Sequence, residues 1–243
     1  MSRRFIIIQA RLSSTRLPNK VLLPLCGKSV LEIMLDRLSH YHQDIIIATT
    51  DSGDEQPIID IANRYNIRYY QGSTTNVLER FVKALEHFGS KSGDTVVRLT
   101  SDCPLIDSKI LRDVIDYYDA NDYDYVNNTL IKKFPRGFDC EVFGYNALLQ
   151  AHQNGTSEYE REHVTTYIYN THKEEFEIGC FEGAEDNSHY RLTLDEKDDY
   201  TAIKEIYKLF NCSINFHYDE LIEVLKANPQ IAQINSHVEQ KKL

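Results

Sequence analysis

Short apolar runs alternate with longer amphipathic segments along most of this chain, and this pattern constrains its fold more than any other feature. The clearest runs lie within Phe5–Ala10, Asp44–Thr49 and Thr95–Thr100. A strand that is apolar on both faces must be covered by helices on both sides, as in parallel sheets. The segments between these runs have the periodicity of helices. The pattern therefore predicts an α/β fold with a mostly parallel sheet.

The remaining elements follow from the same periodicities. Further strands are predicted at Arg68–Tyr70, Phe138–Phe143, Phe176–Phe181 and Tyr190–Leu194. Helices are predicted at Val30–Ser39, Glu55–Tyr65, Val77–His87, Ala147–His152, Arg161–Asn170, Tyr200–Phe210 and Tyr218–Ala227, and from a cap at Ser108 to Tyr118. Because no low-complexity linker divides the 243 residues, we expect a single domain over residues 1–243.

Composition excludes several classes of protein. The 27 Lys and Arg residues against 37 Asp and Glu give a formal charge of −10, which argues against a general nucleic-acid binder. No apolar run is long enough to span a bilayer, and no signal-peptide pattern is present, so we expect a cytoplasmic protein. The five cysteines are scattered and lack C-x-x-C spacing. This spacing predicts reduced thiols and neither a zinc site nor a disulfide framework.

A cationic, hydroxyl-rich turn follows the first predicted strand. It contains Arg11, Arg16 and Lys20, with Ser13 and Ser14 between the two arginines. Ligand-binding loops of open parallel sheets lie at this position, and arginine forks, a lysine and backbone N–H groups together suit phosphate. We therefore predict a nucleoside triphosphate site. It is not a P-loop, because Gly27-Lys28-Ser29 has Leu22 where that motif requires glycine.

Acidic residues follow two later predicted strands. Asp102 comes just after Thr95–Thr100, and Asp195 comes directly after Tyr190–Leu194. If these strand ends are neighbours, the two carboxylates can share one metal ion beside the phosphates. Between them lie further candidates for contacts with the acceptor, namely Arg136, Asp139, Glu141, Arg161 and His163. Alternation places Asp139 and Glu141 on one face of a strand, which suits sugar hydroxyls or, alternatively, a solvated outer face.

Four motifs in order along the chain resemble the spore coat polysaccharide biosynthesis protein F family of cytidylyltransferases. This family is related to the 3-deoxy-manno-octulosonate and acylneuraminate enzymes. The motifs are Ile7–Arg11 with Ser14–Lys20, Leu99–Pro104, Pro135–Phe143 and Arg161–Thr165.

The resemblance implies a Rossmann-like, three-layer nucleotidyltransferase fold that uses CTP and Mg²⁺ to form a CMP-sugar and pyrophosphate. It further implies that the acceptor is an acidic sugar such as a 3-deoxy-ulosonic or nonulosonic acid. A homodimer is also implied, and residues 123–185 are expected to form an inserted acceptor-binding and dimerisation segment.

By position, the resemblance assigns Arg11 and Lys20 to the triphosphate, with Asp102 as the third catalytic residue, and Asp102 with Asp195 to the metal. The expected nucleotide contacts are Ala10, Arg11, Leu12, Ser13, Ser14, Arg16, Lys20, Arg98, Thr100 and Ser101. Departures from the family pattern occur at three places, the last of which covers two residues. Asn19 replaces a glycine, and asparagine tolerates left-handed backbone angles; Asn76 replaces an aspartate, and Glu196-Lys197 replaces Thr-Pro.

Two other functions remain open at this point. Asp122-Tyr123-Asp124 matches the D-x-D metal motif of glycosyltransferases that consume nucleotide sugars, although it precedes its strand and also fits a solvated turn. The departures from the family pattern also allow a nucleotide-binding protein of the same fold without turnover.

Overall fold

Nine strands and nine α-helices form the part of the chain that the computed structural model describes, residues 2–239. The strands are β1 (Arg4–Gln9), β2 (Pro24–Leu25), β3 (Lys28–Ser29), β4 (Ile45–Thr50), β5 (Arg68–Gly72), β6 (Thr95–Thr100), β7 (Tyr125–Asn127), β8 (Glu141–Gly144) and β9 (Ile178–Cys180). The helices are α1 (Val30–Arg37), α2 (Gln56–Arg64), α3 (Val77–His87), α4 (Ser108–Asp119), α5 (Tyr145–Asn154), α6 (Glu158–His163), α7 (Lys197–Leu209), α8 (Tyr218–Ala227) and α9 (Pro229–Ile234).

Seven strands form one sheet in the order β5-β4-β1-β6-β8-β7-β9. Strands β5, β4, β1 and β6 are parallel neighbours, whereas β8 is antiparallel to both β6 and β7. The short strands β2 and β3 pair separately as a hairpin. The predicted, mostly parallel α/β fold is therefore confirmed, and β1 lies near the centre of the sheet.

Alternate residues of the central strands enter two separate hydrophobic cores. Ile6 and Ile8 of β1 pack with helices α1, α2, α4, α7 and α8. Phe5 and Ile7 face the opposite side, where α3 and α5 cover the sheet. All four side chains are at most 2% exposed. The continuous apolar run of β1 thus reflects burial on both faces in a three-layer arrangement.

Most predicted elements are confirmed within a few residues, but two predictions are wrong. The helix predicted over Arg161–Asn170 ends at His163, because Val164 adopts a positive φ of 60°, and a π-helical turn follows at Tyr167–Thr171. Tyr190–Leu194 forms no strand; it makes only an isolated bridge between Arg136 and Arg191. Its apolar residues are buried in the core without joining the sheet, and such burial gives the same sequence signal as a strand.

Local capping also differs in one place. The N-cap of α4 is Asp107, whose carboxylate accepts a hydrogen bond from the Lys109 N–H at 2.6 Å, and Ser108 is the first helical residue. Ser29 caps α1 as its position suggests, with a reciprocal contact from Glu32. No helix among residues 2–239 is long and apolar enough to cross a membrane.

The prediction that all cysteines are reduced is wrong for two of them. Cys26 and Cys212 form a disulfide although 186 positions separate them in the chain. Cys26 lies in the β2–β3 turn and Cys212 follows α7, so the bond joins two turns that only the tertiary fold brings together. Cys103, Cys140 and Cys180 are free. The cytoplasmic location inferred partly from composition stays a prediction.

Three strands of the seven-stranded sheet come from residues 123–185, which the sequence predicts to be an insertion. Strands β7 and β8 pair with each other, and β9 extends the sheet beyond β7. The loop between β7 and β8 exposes two adjacent apolar side chains, Leu130 at 44% and Ile131 at 43%. The segment is thus built into the sheet edge, and its role in acceptor binding and dimerisation stays a prediction.

Candidate active site

The loop after β1 is held by hydrogen bonds from both of its ends. The Leu12 carbonyl accepts the N–H groups of Ser14 at 2.8 Å and Asn19 at 3.2 Å. Asn19 has a φ of 55°, so the left-handed angle that glycine would provide is adopted by asparagine. The Leu12 N–H donates to the carboxylate of Glu55, which is 1% exposed. Glu55 therefore fixes the loop from beneath, although no sequence motif indicates it.

Lys20 connects the two carboxylates that the sequence predicts to share a metal. Its Nζ lies 2.6 Å from Asp102 Oδ2 and 2.8 Å from Asp195 Oδ1. The side chains of Lys20, Asp102 and Asp195 are 14%, 21% and 13% exposed. Burial lowers the pKa of Lys20, but the two carboxylates outweigh this effect, and the net pKa is raised. The lysine is therefore a fixed cation at the contact between three distant segments of the chain.

Asp195 is surrounded by further cations. Arg16 NH2 lies 3.0 Å from its Oδ1 and Arg191 NH2 lies 3.0 Å from its Oδ2. Burial raises the pKa of Asp195, whereas Lys20, Arg16 and Arg191 lower it, and the net pKa is below its ordinary value. Asp195 is therefore held as a carboxylate.

A fully buried acid supports Asp195 from behind. Asp199 is 0% exposed and accepts hydrogen bonds from Arg191, from Asn235 and from the backbone N–H groups of Asp195 and Glu196. No motif in the sequence indicates Asp199, Arg191 or Asn235. The spacing of Arg191, Asp195 and Asp199 at four-residue intervals is the signal that was available.

A second polar group lies between β6 and β8. Arg98 pairs with Glu141 directly across the two strands, and its NH2 also donates to Gln9 Oε1 at 3.3 Å. Glu141 accepts the Thr165 hydroxyl at 2.5 Å. Burial lowers the pKa of Arg98, but Glu141 outweighs it and the pKa is raised. These groups sit beside the end of β1, where the nucleotide loop begins.

Asp139 has its own arginine, at 3.1 Å from Arg136 NH1. Burial raises the pKa of Asp139, Arg136 lowers it, and the nearby charges of Asp102 and Glu141 raise it further, so the net pKa is raised. The predicted acceptor residue Asp139 therefore lies close enough to Asp102 and Glu141 to interact with both charges. Neither Asp139 nor Glu141 forms a solvated outer face, because both side chains are mostly covered.

Gly137 allows the loop before β8 to approach the segment that leads to Asp195. Its φ is +110°, and a Cβ there would lie 2.4 Å from the Leu192 carbonyl oxygen. The Leu192 N–H donates to the Arg136 carbonyl at 2.8 Å in the same contact. Only glycine combines this backbone angle with such a close approach.

The remaining predicted site residues have less specific surroundings. Arg11 and Ser13 are exposed on the loop, and the Ser101 N–H donates to the Gln9 carbonyl at 3.2 Å. The hydroxyl of Thr100 lies 3.3 Å from Cys103 Sγ. In α6, Arg161 is exposed, and the ring of His163 lies 4.8 Å from that of Tyr159. The N–H groups of Ala10, Leu12 and Ser14 are already used inside the protein.

The donor set suits a hard divalent cation held by two carboxylates. Asp102 and Asp195 both direct an oxygen at one point, where the Lys20 ammonium lies, so the site accommodates a cation between them. Among residues 2–239, no group of three His, Cys, Asp or Glu side chains has the arrangement of a metal site. Mg²⁺ is commonly held by one or two carboxylates, with substrate phosphates and water completing its shell.

The D-x-D motif lies at the opposite edge of the sheet. Strand β8 lies between β6 and β7 and is antiparallel to both, so β6 and β7 point in the same direction. Asp122–Asp124 precedes β7, whereas Asp102 follows β6, so the two lie at opposite ends of the strands. The Asp124 carboxylate accepts the Glu177 N–H at 2.9 Å. The motif therefore caps the start of β7, far from the nucleotide loop.

Comparison with known proteins agrees with this geometry. Residues 5–242 match a family model described as Cytidylyltransferase. The chain is 39% identical over 239 residues to an uncharacterized protein of Methanocaldococcus jannaschii, covering 97% of this chain and 95% of that protein. It is 34% identical over 243 residues to the spore coat polysaccharide biosynthesis protein SpsF of Bacillus subtilis, covering 96% and 98%. The structure of a cytidylyltransferase from Leptospira borgpetersenii superimposes with a TM-score of 0.91 at 33% identity and covers both chains completely.

Proposed function

The chain belongs to the cytidylyltransferase family, and we propose that it transfers CMP from CTP to a hydroxyl of an acidic sugar and releases pyrophosphate. The acceptor is a 3-deoxy-ulosonic or nonulosonic acid, and the CMP-sugar serves the assembly of a surface polysaccharide or another glycan. The name of the relative SpsF, a polysaccharide biosynthesis protein, supports this role.

One observation carries the proposal: Lys20, Asp102 and Asp195 meet within 2.8 Å beside the loop that follows β1. A lysine ammonium and two carboxylates beside this loop support a triphosphate site, because ligand-binding loops of open parallel sheets lie at this position. The acceptor hydroxyl oxygen attacks the α-phosphorus in line, a new P–O bond forms, and the bond to the bridging oxygen of pyrophosphate breaks. The hydroxyl proton leaves to solvent, so no dedicated protein base is required. Arg11 and Lys20 neutralise the charge that accumulates on the leaving group.

Asp102 and Asp195 would hold a divalent ion such as Mg²⁺, which would supply Lewis-acid stabilisation of the α-phosphate. Arg191 and Asp199 keep the carboxylate of Asp195 ionised and oriented for this task. Arg136, Asp139 and Glu141 provide donors and acceptors for the acceptor sugar, and Arg98 and Thr165 hold the Glu141 carboxylate in place. Asp139 also interacts with the charge of Asp102, which brings this group close to the predicted metal site.

The test is pyrophosphate release from CTP with Mg²⁺ and a panel of acidic and neutral sugars. We expect turnover with an acidic sugar, and a loss of about 100-fold or more in Asp102→Asn. Asp122→Asn is the matched control, because Asp122 is exposed at the other edge of the sheet. Full activity in Asp102→Asn contradicts the proposal. Loss in Asp122→Asn instead favours a glycosyltransferase, and CTP binding without product from any sugar favours a binding protein.

We further propose a homodimer that uses the segment 123–185. The adjacent exposed side chains of Leu130 and Ile131 support this proposal, because apolar side chains at an exposed loop are often covered by a partner. Light scattering is expected to give twice the mass of the 28.3 kDa chain. A monomeric mass at micromolar concentration contradicts it.

A further inference from the structure

Two buried arginines of this protein differ in how their N–H groups are satisfied. Arg37 is 8% exposed and donates to the carbonyls of Ile106, Ile214 and Phe216 at 2.7 to 3.0 Å. Arg80 is only 3% exposed; its NH1 donates to the Ser73 carbonyl at 2.5 Å, but its Nε has no partner. The guanidinium of Arg37 is thus held by carbonyl groups on all three nitrogens, whereas the Nε of Arg80 has no acceptor. Buried polar groups without a partner are rare and require an explanation.

Both cations and carboxylates surround the buried guanidinium of Arg80. Burial and the neighbouring charge of Arg11 lower the pKa of Arg80, the carboxylates of Glu55 and Asp51 raise it, and the net pKa is about 10. Within residues 2–239, neither Arg80 nor Arg11 forms an ion pair with a carboxylate. A buried guanidinium whose Nε has no partner, with a second arginine nearby, favours an external group that accepts hydrogen bonds.

Arg80 lies where the ends of three parallel strands meet. Strand β1 leads to Arg11, β4 ends at Thr50, and β5 ends at Gly72, which pairs with Thr50. Thr49, also in β4, is fully buried, and its hydroxyl has no partner either. A Cβ on Gly72 would lie 3.2 Å from Arg80 Cγ, so glycine leaves room for the arginine to cross the strand end.

The sheet order decides which end of CTP reaches this place. Asp102 follows β6, which is on one side of β1, and it meets Lys20 there together with Asp195. Strands β4 and β5 lie on the other side of β1. A nucleotide whose phosphates lie at Lys20 and which crosses the loop after β1 therefore extends its nucleoside toward Arg80.

We propose that Arg80 is a specificity-determining residue that recognises cytosine, with its guanidinium donating to O2 and N3 of the ring. The inference rests on the proposed use of CTP. In cytosine both O2 and N3 accept hydrogen bonds, whereas in uracil N3 carries a hydrogen. Parallel donors of an arginine fork therefore match the first base and meet a donor in the second. An enzyme site built to hydrogen-bond one ligand rejects an analogue that leaves its buried groups unpaired.

The experiment measures the binding of CTP, CMP, UMP and pyrophosphate, each with Mg²⁺, by calorimetry. The wild-type protein is expected to bind CMP at least about 10-fold more tightly than UMP. Arg80→Gln is expected to weaken CMP and CTP by the same factor, about 10- to 100-fold, and to leave pyrophosphate within about twofold. Arg112→Gln is the control, because its side chain is 60% exposed on α4, and it should change nothing.

Arg80→Lys provides a second variant that keeps the charge and removes the fork. It is expected to fold and to lose the preference for CMP over UMP. Equal binding of CMP and UMP by the wild-type protein overturns the inference even if both variants fail to fold. A loss of pyrophosphate affinity as large as that of CTP, with CMP unchanged, overturns it in favour of a phosphate contact.

A purely structural role also has a distinct outcome. It predicts a lower Tm and an equal loss for all four ligands, with the CMP preference intact, and this result overturns the inference. If the wild-type protein binds CTP but the variants keep its selectivity, only the role of Arg80 fails. If the wild-type protein binds no CTP, the proposed function itself fails.

Discussion

Replacement of Lys20 by methionine tests the centre of the proposed site. Its Nζ is 2.6 Å from Asp102 and 2.8 Å from Asp195, and methionine keeps most of the length of the side chain while it removes the charge. Asp195 retains Arg16 and Arg191 as partners. Within residues 2–239, Asp102 forms its ion pair with Lys20 alone. The variant therefore leaves one carboxylate without its cation.

The expected loss of stability is that of one charge-assisted hydrogen bond, about 1.5–3 kcal/mol. Because the Asp102 side chain is 21% exposed, water replaces part of the lost contact, and we expect a value at the lower end, about 2 kcal/mol. For a chain of this length the Tm should fall by about 4–8 °C. Turnover should fall about 100- to 1,000-fold, because a donor to the developing charge on pyrophosphate is removed.

The assay combines thermal unfolding, pyrophosphate release at saturating CTP, and calorimetry with Mn²⁺ in the absence of nucleotide. Without the lysine, the two carboxylates have no ammonium between them, so we expect Lys20→Met to bind Mn²⁺ more tightly than the wild-type protein does. Lys28→Met is the control. Lys28 also forms an ion pair, with Asp36 at 2.7 Å, but the Lys28 side chain is 47% exposed. Turnover within threefold of wild type in Lys20→Met would refute the reasoning.

Three further variants test the structure around the site. Cys26→Ser should lower the free energy of unfolding, measured in urea without reductant, by about 2–5 kcal/mol. Five reactive thiols in the unfolded wild-type protein, instead of three, would contradict the Cys26–Cys212 bond. Gly137→Ala should lose at least about 2 kcal/mol in thermal unfolding, because its Cβ would meet the Leu192 carbonyl at 2.4 Å, and an unchanged Tm would argue against that contact. Burial raises the pKa of Glu160, but its hydrogen bonds lower it below the ordinary value of 4.5, so its stabilisation is full above that pH and is lost as the pH falls through the lower folded pKa. Glu160→Gln should therefore cost about 1–3 kcal/mol at neutral pH and flatten the acid side of the stability profile, and a profile parallel to that of wild type would contradict this.

Sequence patterns were sufficient for the elements whose signal is local. Four elements lie at or within one residue of their predicted bounds, namely β1, β6, α3 and α8. Their apolar residues recur with the period of a strand or a helix, because each element buries a regular set of its side chains. The pattern was misleading at Tyr190–Leu194, where the buried apolar residues pack in the core without pairing as a strand. Burial alone does not distinguish a strand from an extended segment.

For the candidate site too, the sequence predicts some features and only the structure shows others. The motifs around Arg11 and Lys20, and the acids Asp102 and Asp195, were identified from residue type and from their positions after apolar runs. The structure supplied the distances among Lys20, Asp102 and Asp195. Linear spacing gives a residue type and a position on its element, but not the partner that faces it.

What the sequence determined by itself is the layered α/β architecture and the chemical types that gather at one edge of the sheet. The tertiary structure alone decided which partners these groups have: Glu55 beneath the loop, Asp199 behind Asp195, and the Cys26–Cys212 bond. It also left Arg80 buried with an unpartnered Nε. The physical reason is that periodicity reports burial within each element, whereas pairing depends on residues that are distant in sequence and adjacent only after the chain folds.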